Sequence, residues 1–264
     1  MEEAPKITIP AKKRLLFCID GDGTLIPLIR LPDGTIVTTH DIIWMAIRED
    51  PSIEHTPEAQ WNLVKHLLPI GGAEMWKKVL RKMVDDGHAT SFVSFSSFGK
   101  HILPRYLAEN VGLEKSFIEE NIVVVSFLPP LKKNRNDKRA HIQETKVILH
   151  LEDIEDNDVA LIDDSGKNIA AAEKDKHYTI LATPDGEHLH AMMRLLTFIA
   201  DQENKNTGDE NLFCSGGSSS SKDVEHLLVY SSKSPSPIIG RGPTTPVNER
   251  NILKSSGENL KFSK

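Results

Sequence analysis

Leu15-Leu16-Phe17-Cys18-Ile19-Asp20-Gly21-Asp22-Gly23-Thr24 is an apolar run that stops at two carboxylates separated by glycine. An unbroken apolar run of this length, with no polar alternation, reads as a strand buried on both faces of a parallel sheet. The polar, glycine-bearing loop that follows marks the strand's carboxyl end. In a continuing strand Asp20 and Asp22 would lie on one face. In a glycine-rich loop both can turn toward one site.

Working outward from this stretch, Ile29 to Val37 places Pro32-Asp33-Gly34 between short apolar arms, which predicts a β-hairpin. Thr56-Pro57-Glu58 predicts a helix start with Thr as N-cap, running to about Leu68 and broken by Gly71-Gly72. A second helix is expected from Ala73 to Val84, ending at Gly87. Trp61, Val64 and Leu68 keep helical spacing, as do Met75 or Trp76, Val79, Leu80 and Met83, so these are expected core contacts. Ala89–Phe95, Ile122–Phe127, Val159–Ile162 and Tyr178–Ala182 read as further strands. Helices are expected over Lys100–Glu109 and Glu187–Gln202. Another is expected over Arg139–Glu152, with its apolar face at Ile142, Val147 or Ile148, and Leu151. Alternating strands and helices predict an α/β fold. It is a Rossmann-like parallel sheet with helices on both faces, a β-hairpin flap after the first strand and no large cap. Ligands of such sheets collect at the carboxyl ends of the strands. Asp20, Asp22, Ser94, Asp163 and Asp164 all fall there.

The 264-residue chain has a hydrophobic fraction of 39%, a little low for a wholly packed chain. Residues 1–13 are expected to be a flexible N-terminus, 14–203 the folded domain, and 204–264 a low-complexity, mostly disordered tail rich in Asn, Gly, Ser and Pro. Cys18 and Cys214 form no disulfide framework and no zinc spacing, which fits a reducing, cytoplasmic compartment. No apolar run approaches the ~18 residues of a membrane span, and the charged N-terminus is not a secretory signal. A net charge of −6 argues against nucleic acid as a partner.

A pair of acids at one strand end suits phosphoryl chemistry: one attacks phosphorus while the other handles a proton. A phosphate brings negative charge, so the carboxylates call for a hard divalent cation with oxygen ligands, and Mg²⁺ is the usual choice. Asp163-Asp164, after the apolar run Val159–Ile162, supplies the second acidic pair. A lysine and a small hydroxyl would orient the phosphoryl oxygens. Asp20-Gly21-Asp22-Gly23-Thr24 alone also fits a calcium-like or turn loop; the downstream pair weighs against that.

This set resembles the haloacid dehalogenase superfamily of phosphohydrolases, over about residues 14 to 200. Asp20–Thr24 matches the family's DxDGT signature in full. Ser94, in Ser91-Phe92-Val93-Ser94, is similar to the hydroxyl that ends the next core strand, with Ser96 as its rival. Lys138 stands for the lysine opening a helix, with Lys146 as its rival. Val159 to Ser165 resembles the fourth motif. The resemblance implies Asp20 as nucleophile and Asp22 as proton donor and acceptor. It implies Mg²⁺ held by Asp20, the Asp22 backbone carbonyl and Asp163, with Asp164 in support. Ser94, Lys138 and the loop residues Gly21, Gly23 and Thr24 would bind the transferring phosphate.

Family members select substrates with caps inserted between these motifs. The intervals from Thr24 to Ser94 and from Ser94 to Lys138 leave no room for a large one, so the chain resembles the capless subclass. An open site suits a phosphoprotein or phosphopeptide. Trp44 and Phe95, as an apolar rim, favour phosphotyrosine over phosphoserine or phosphothreonine. The alternatives are a nucleic-acid 3′-phosphatase, a small-metabolite phosphatase and a phosphopeptide-binding module without turnover. A Ser/Pro-rich tail on a small capless phosphatase also resembles bacterial effectors delivered into host cells; a eukaryotic cytosolic or nuclear phosphatase is equally compatible.

Overall fold

A computed structural model of the protein describes residues 14–126 and 137–208. The expected N-terminus 1–13, most of the basic loop from Lys132 to Lys138, and the tail beyond Gly208 lie outside the described residues. In chain order the elements are β1 (Leu16–Asp20), β2 (Ile29–Arg30), β3 (Ile36–Val37), α1 (Thr39–Glu49), α2 (Pro57–Val64), α3 (Ala73–Asp85), β4 (Ala89–Ser94), α4 (Gly99–Tyr106), α5 (Lys115–Asn121), β5 (Ile122–Ser126), α6 (Arg139–Ile148), β6 (Val159–Asp163), α7 (Gly166–Lys174), β7 (Tyr178–Leu181) and α8 (Glu187–Gly208). A 3-10 turn, Pro51–His55, joins α1 to α2, and a π turn, Leu107–Val111, extends α4.

The five longer strands form one parallel sheet in the order β5-β4-β1-β6-β7, and β2 pairs antiparallel with β3 as the hairpin. Alternate residues of β1 enter opposite cores. Phe17 and Ile19 pack with Trp76, Ile102 and Leu196 from α3, α4 and α8. Leu16 and Cys18 pack with Ile142 of α6 and Ala172 of α7. With both faces covered, β1 has no solvent side, which is why its sequence is continuously apolar. The β1–β4 register sets Asp20 beside Val93, and the β1–β6 register sets Ile19 beside Ile162. Asp20 and Asp163 therefore end neighbouring strands.

Several expectations are corrected. Helix α1 was not foreseen. Its N-cap is Thr38, whose hydroxyl accepts from Asp41 N while the Asp41 carboxylate accepts from Thr38 N, a reciprocal cap. Thr56 precedes α2, but its hydroxyl donates to Ser52 O at 2.8 Å and does not cap the helix. That helix stops at Val64, so Leu68 leaves the core and is 79% exposed. The buried face of α6 is His141, Ile142, Thr145 and Lys146; Val147 and Ile148 are exposed. Helix α5 was also missed, and α8 runs past Gln202 to Gly208.

Candidate active site

The site is built at the carboxyl end of β1. After Asp20 the chain turns at once: Leu25 N and Ile26 N both donate to Gly21 O, and Gly23 N donates to Ile26 O at 2.7 Å. Gly23 sits at φ +78°, where a side chain is strained. A Cβ there would also overlap the Asp164 carboxylate, so this glycine lets β1's loop and β6's loop meet. The Gly23 N–H is engaged inside the turn, not turned to a ligand as expected. The Thr24 hydroxyl is buried with no hydrogen-bond partner among the described residues.

Asp20, Asp163 and Asp164 each offer one carboxylate oxygen to a common cluster, and these atoms lie within 4.8 Å of one another. Asp163 is fully buried and held from both sides. Ser165 N donates to Oδ1 at 2.8 Å, and Asn168 Nδ2 lies 2.9 Å from both of its oxygens. Burial, and then the charge of Asp20, push the Asp163 carboxyl above its ordinary value; the same two causes raise Asp164. Three crowded oxygen donors whose negative charge is unwelcome match the hard-cation donor chemistry of Mg²⁺.

Lys138, at the N-cap of α6, reaches into this cluster. Its Nζ donates to Asp20 Oδ1 at 2.6 Å and to Val93 O at 3.1 Å, and lies 4.2 Å from the centre of the Phe95 ring. The side chain is 2% exposed, so the pair is shielded from water. Lys146 is elsewhere, donating to Ile154 O and Asp156 Oδ1, each at 3.0 Å. The structure thus brings Lys138, and not Lys146, to Asp20.

Asp22 is not one of the three clustered carboxylates. Its Oδ1 accepts from Thr39 N at 3.1 Å and from Thr39 Oγ1 at 2.6 Å, at the first turn of α1. Burial raises its carboxyl from 3.8 to about 6, with Asp20 adding to the rise and the Thr39 bonds opposing it. Ser94 closes the site on the β4 side. Its hydroxyl accepts from Ser96 N at 3.1 Å, and its carbonyl lies 3.1 Å from His141 Nε2. With the carbonyl able only to accept, Nε2 carries the proton. Ser94, Ser96, Gly21, Asp22 and Thr39 line one small crevice.

No protein-family model matches the chain. No curated protein matches it either. Among solved structures, it is similar to a haloacid dehalogenase-like family hydrolase from Xanthomonas campestris, at 15% identity and a TM-score of 0.40, over 76% of this chain and 100% of that one.

Thr39, His141 and Asn168 escaped the sequence reading. Asn168 had a signal, since it follows Asp163 by one helical turn after a short loop. Thr39 had the capping pattern Thr38 to Asp41 as a pointer to the helix, but nothing in the sequence aimed it at Asp22.

Proposed function

We propose that the protein is a Mg²⁺-dependent phosphomonoester hydrolase of the haloacid dehalogenase type, acting through an aspartyl-phosphate on Asp20. The observation that carries this reading is the division of labour at one strand end. Lys138 pairs with Asp20 inside a three-carboxylate cluster, while Asp22, two residues on, is held apart with a carboxyl near the pH at which it can both give and take a proton.

In this mechanism Asp20 attacks the substrate phosphorus and the bond to the leaving oxygen breaks. Asp22 gives that oxygen its proton. Water then attacks the aspartyl-phosphate, Asp22 takes the proton, and inorganic phosphate departs with Asp20 restored. The Lys138 ammonium and the Ser94 hydroxyl bind phosphoryl oxygens, and burial of Lys138 strengthens its pull. Mg²⁺, bound through Asp20, Asp163 and Asp164, would offset the charge that the phosphate brings among the carboxylates. Asn168 and Ser165 N keep Asp163 aimed.

The substrate in this reading is a phosphoprotein, phosphotyrosine before phosphoserine. Trp44 and Phe95 support it as exposed aromatic side chains, 37% and 46% accessible. The capless reading is supported by the packing of α1 and α2: Ile43, Ile47, Trp61 and Val64 join the same core as the sheet.

The test is Mg²⁺-dependent phosphate release by the full chain from phosphotyrosine and phosphoserine peptides, with Asp20→Asn alongside. Release should vanish in the variant and with EDTA, and acid quenching should trap an acyl-phosphate on Asp20. Turnover that persists in Asp20→Asn would overturn the proposal.

A further inference from the structure

A larger cavity of about 600 Å³ is lined by chain neighbours of the residues that line the crevice at Gly21 and Asp22. Thr39 and Ser96 line the crevice; His40, Ser97 and Phe98 line the cavity. The two spaces also share a hydrogen-bond path, from Ser94 Oγ to Ser96 N and from Ser96 Oγ to His40 Nδ1 at 3.4 Å.

The cavity wall is a continuous set of rings. His40 lies 6.1 Å from Trp44 and 5.5 Å from Phe98, Trp44 lies 5.8 Å from Phe98, and Phe98 lies 6.2 Å from His101, centre to centre. Hydrogen bonds brace the wall. Gln60 Nε2 donates to Ile53 O and Glu54 O, both at 2.8 Å, which leaves its Oε1 to accept from His101 Nε2 at 2.5 Å. Arg105 pairs with Glu58 and stacks over Trp61 at 4.8 Å, tying α2 to α4. Burial lowers the imidazoles of His40 and His101 below their ordinary value, which favours the neutral form of each. Among the described residues no lysine or arginine lines the cavity, and Glu54 contributes an acid. A second phosphate would find no lysine or arginine to pair with here, whereas an uncharged ring meets edges and faces at stacking distance.

We infer that this cavity is the leaving-group subsite, and that His40, Trp44, Phe98 and His101 select an aromatic, uncharged leaving group such as the tyrosyl ring of a phosphopeptide. The inference rests on the hydrolase reading above, and it assigns substrate choice to α1 and the β4–α4 loop. The phosphate end, at Lys138 and the carboxylates, is indifferent to what the phosphate leaves behind. The cavity volume lies within the range of small-ligand sites and exceeds what one ring needs, so residues flanking the ring fit as well.

The experiment compares wild type, Trp44→Ala and Trp44→Phe as full chains. Trp44 is partly exposed, so its truncation leaves the core closed. One arm measures kcat/KM for phosphotyrosine and phosphoserine peptides of one sequence and compares their ratio between the proteins, which cancels the intrinsic difference between the leaving groups. The ratio should fall about three- to tenfold in Trp44→Ala, through KM, and recover in Trp44→Phe. A second arm measures calorimetric binding of phenylphosphonate and methylphosphonate with Mg²⁺ present, which needs no turnover. Wild type should prefer phenylphosphonate, and Trp44→Ala should lose the preference. Hydrolysis with an unchanged ratio in Trp44→Ala overturns the subsite and leaves the hydrolase standing. A phenyl preference that Trp44→Ala abolishes, in a chain that hydrolyses nothing, overturns the hydrolase and with it the leaving-group role, and leaves only an aryl-binding cavity. Absence of both hydrolysis and phenyl preference overturns both.

Discussion

Asp22 and Gly23 show how much one residue's surroundings decide. The Asp22 carboxyl is pushed up to about 6 chiefly by burial, and the two Thr39 bonds restrain the rise. Thr39→Val keeps the shape of this buried side chain and removes the hydroxyl. The ionisation near 6 in the pH profile of kcat/KM should then move upward, because the charged form has lost a donor. An unmoved profile would mean that Asp22 does not govern the rate. Gly23→Ala should be severe for two reasons. The left-handed backbone costs about 1–2 kcal/mol with a Cβ, and the Cβ would displace Asp164. Thermal denaturation should show lowered stability, and Mg²⁺ titration should show weakened binding in the same variant.

At the scale of elements, α6 ties together the carboxyl ends of the neighbouring strands β1 and β4. Its N-cap residue Lys138 meets Asp20, and one turn on, His141 packs edge-on against Phe95 at 4.9 Å and holds the Ser94 carbonyl. Burial, and then the charge of Lys138, push the His141 imidazole down from 6.5 to about 4. The unfolded chain takes up a proton at His141 as pH falls through 6.5, while the native chain waits until about 4. The stability tied to a neutral His141 is therefore fully present above 6.5 and is lost as pH falls toward 4. Urea midpoints measured across that window should fall more steeply in wild type than in His141→Gln, whose amide can still donate to Ser94 O. Raised carboxyls such as Asp22 act in the opposite sense, so the difference between the two proteins, not the wild-type slope alone, isolates His141. Helix α1 shows the limit of reading elements from pattern. Its cap at Thr38 and its buried Thr39, Ile43 and Ile47 were all visible at helical spacing. The sequence pattern predicts a hairpin over Ile29–Val37 and a helix start at Thr56-Pro57-Glu58, and the expectation placed no element between them.

Across the whole molecule, function and stability pull against each other at the sheet's carboxyl end. Asp20, Asp163 and Asp164 crowd together, and Lys138 pairs with Asp20. Asp164→Asn should therefore raise the melting temperature of metal-free protein at pH 8, since one repelling charge is gone. Added Mg²⁺ should stabilise wild type by mass action, about 2.7 kcal/mol at a hundred times Kd, and should stabilise the variant much less. Differential scanning fluorimetry with and without Mg²⁺ reads both effects. Equal Mg²⁺ shifts in the two proteins would place the cation elsewhere.

The parallel sheet was legible because buried strands must be continuously apolar, and Leu15–Ile19 and Val159–Ile162 can be little else. The glycine-spaced acids were legible because a carboxylate at the end of such a strand has no packing role to explain it. Lys138 could be singled out from Lys132, Lys133, Arg135, Arg139 and Lys146 only as a preference. The fold decided it by starting α6 where a lysine side chain can cross to β1. The Gly23–Asp164 contact, the hold of Thr39 on Asp22 and the ring-lined cavity each join segments distant in the chain. Local propensity carries the period of an element and the chemistry of a loop. Which distant side chains share a few ångströms is set by strand order and register, and only the packed tertiary structure contains that.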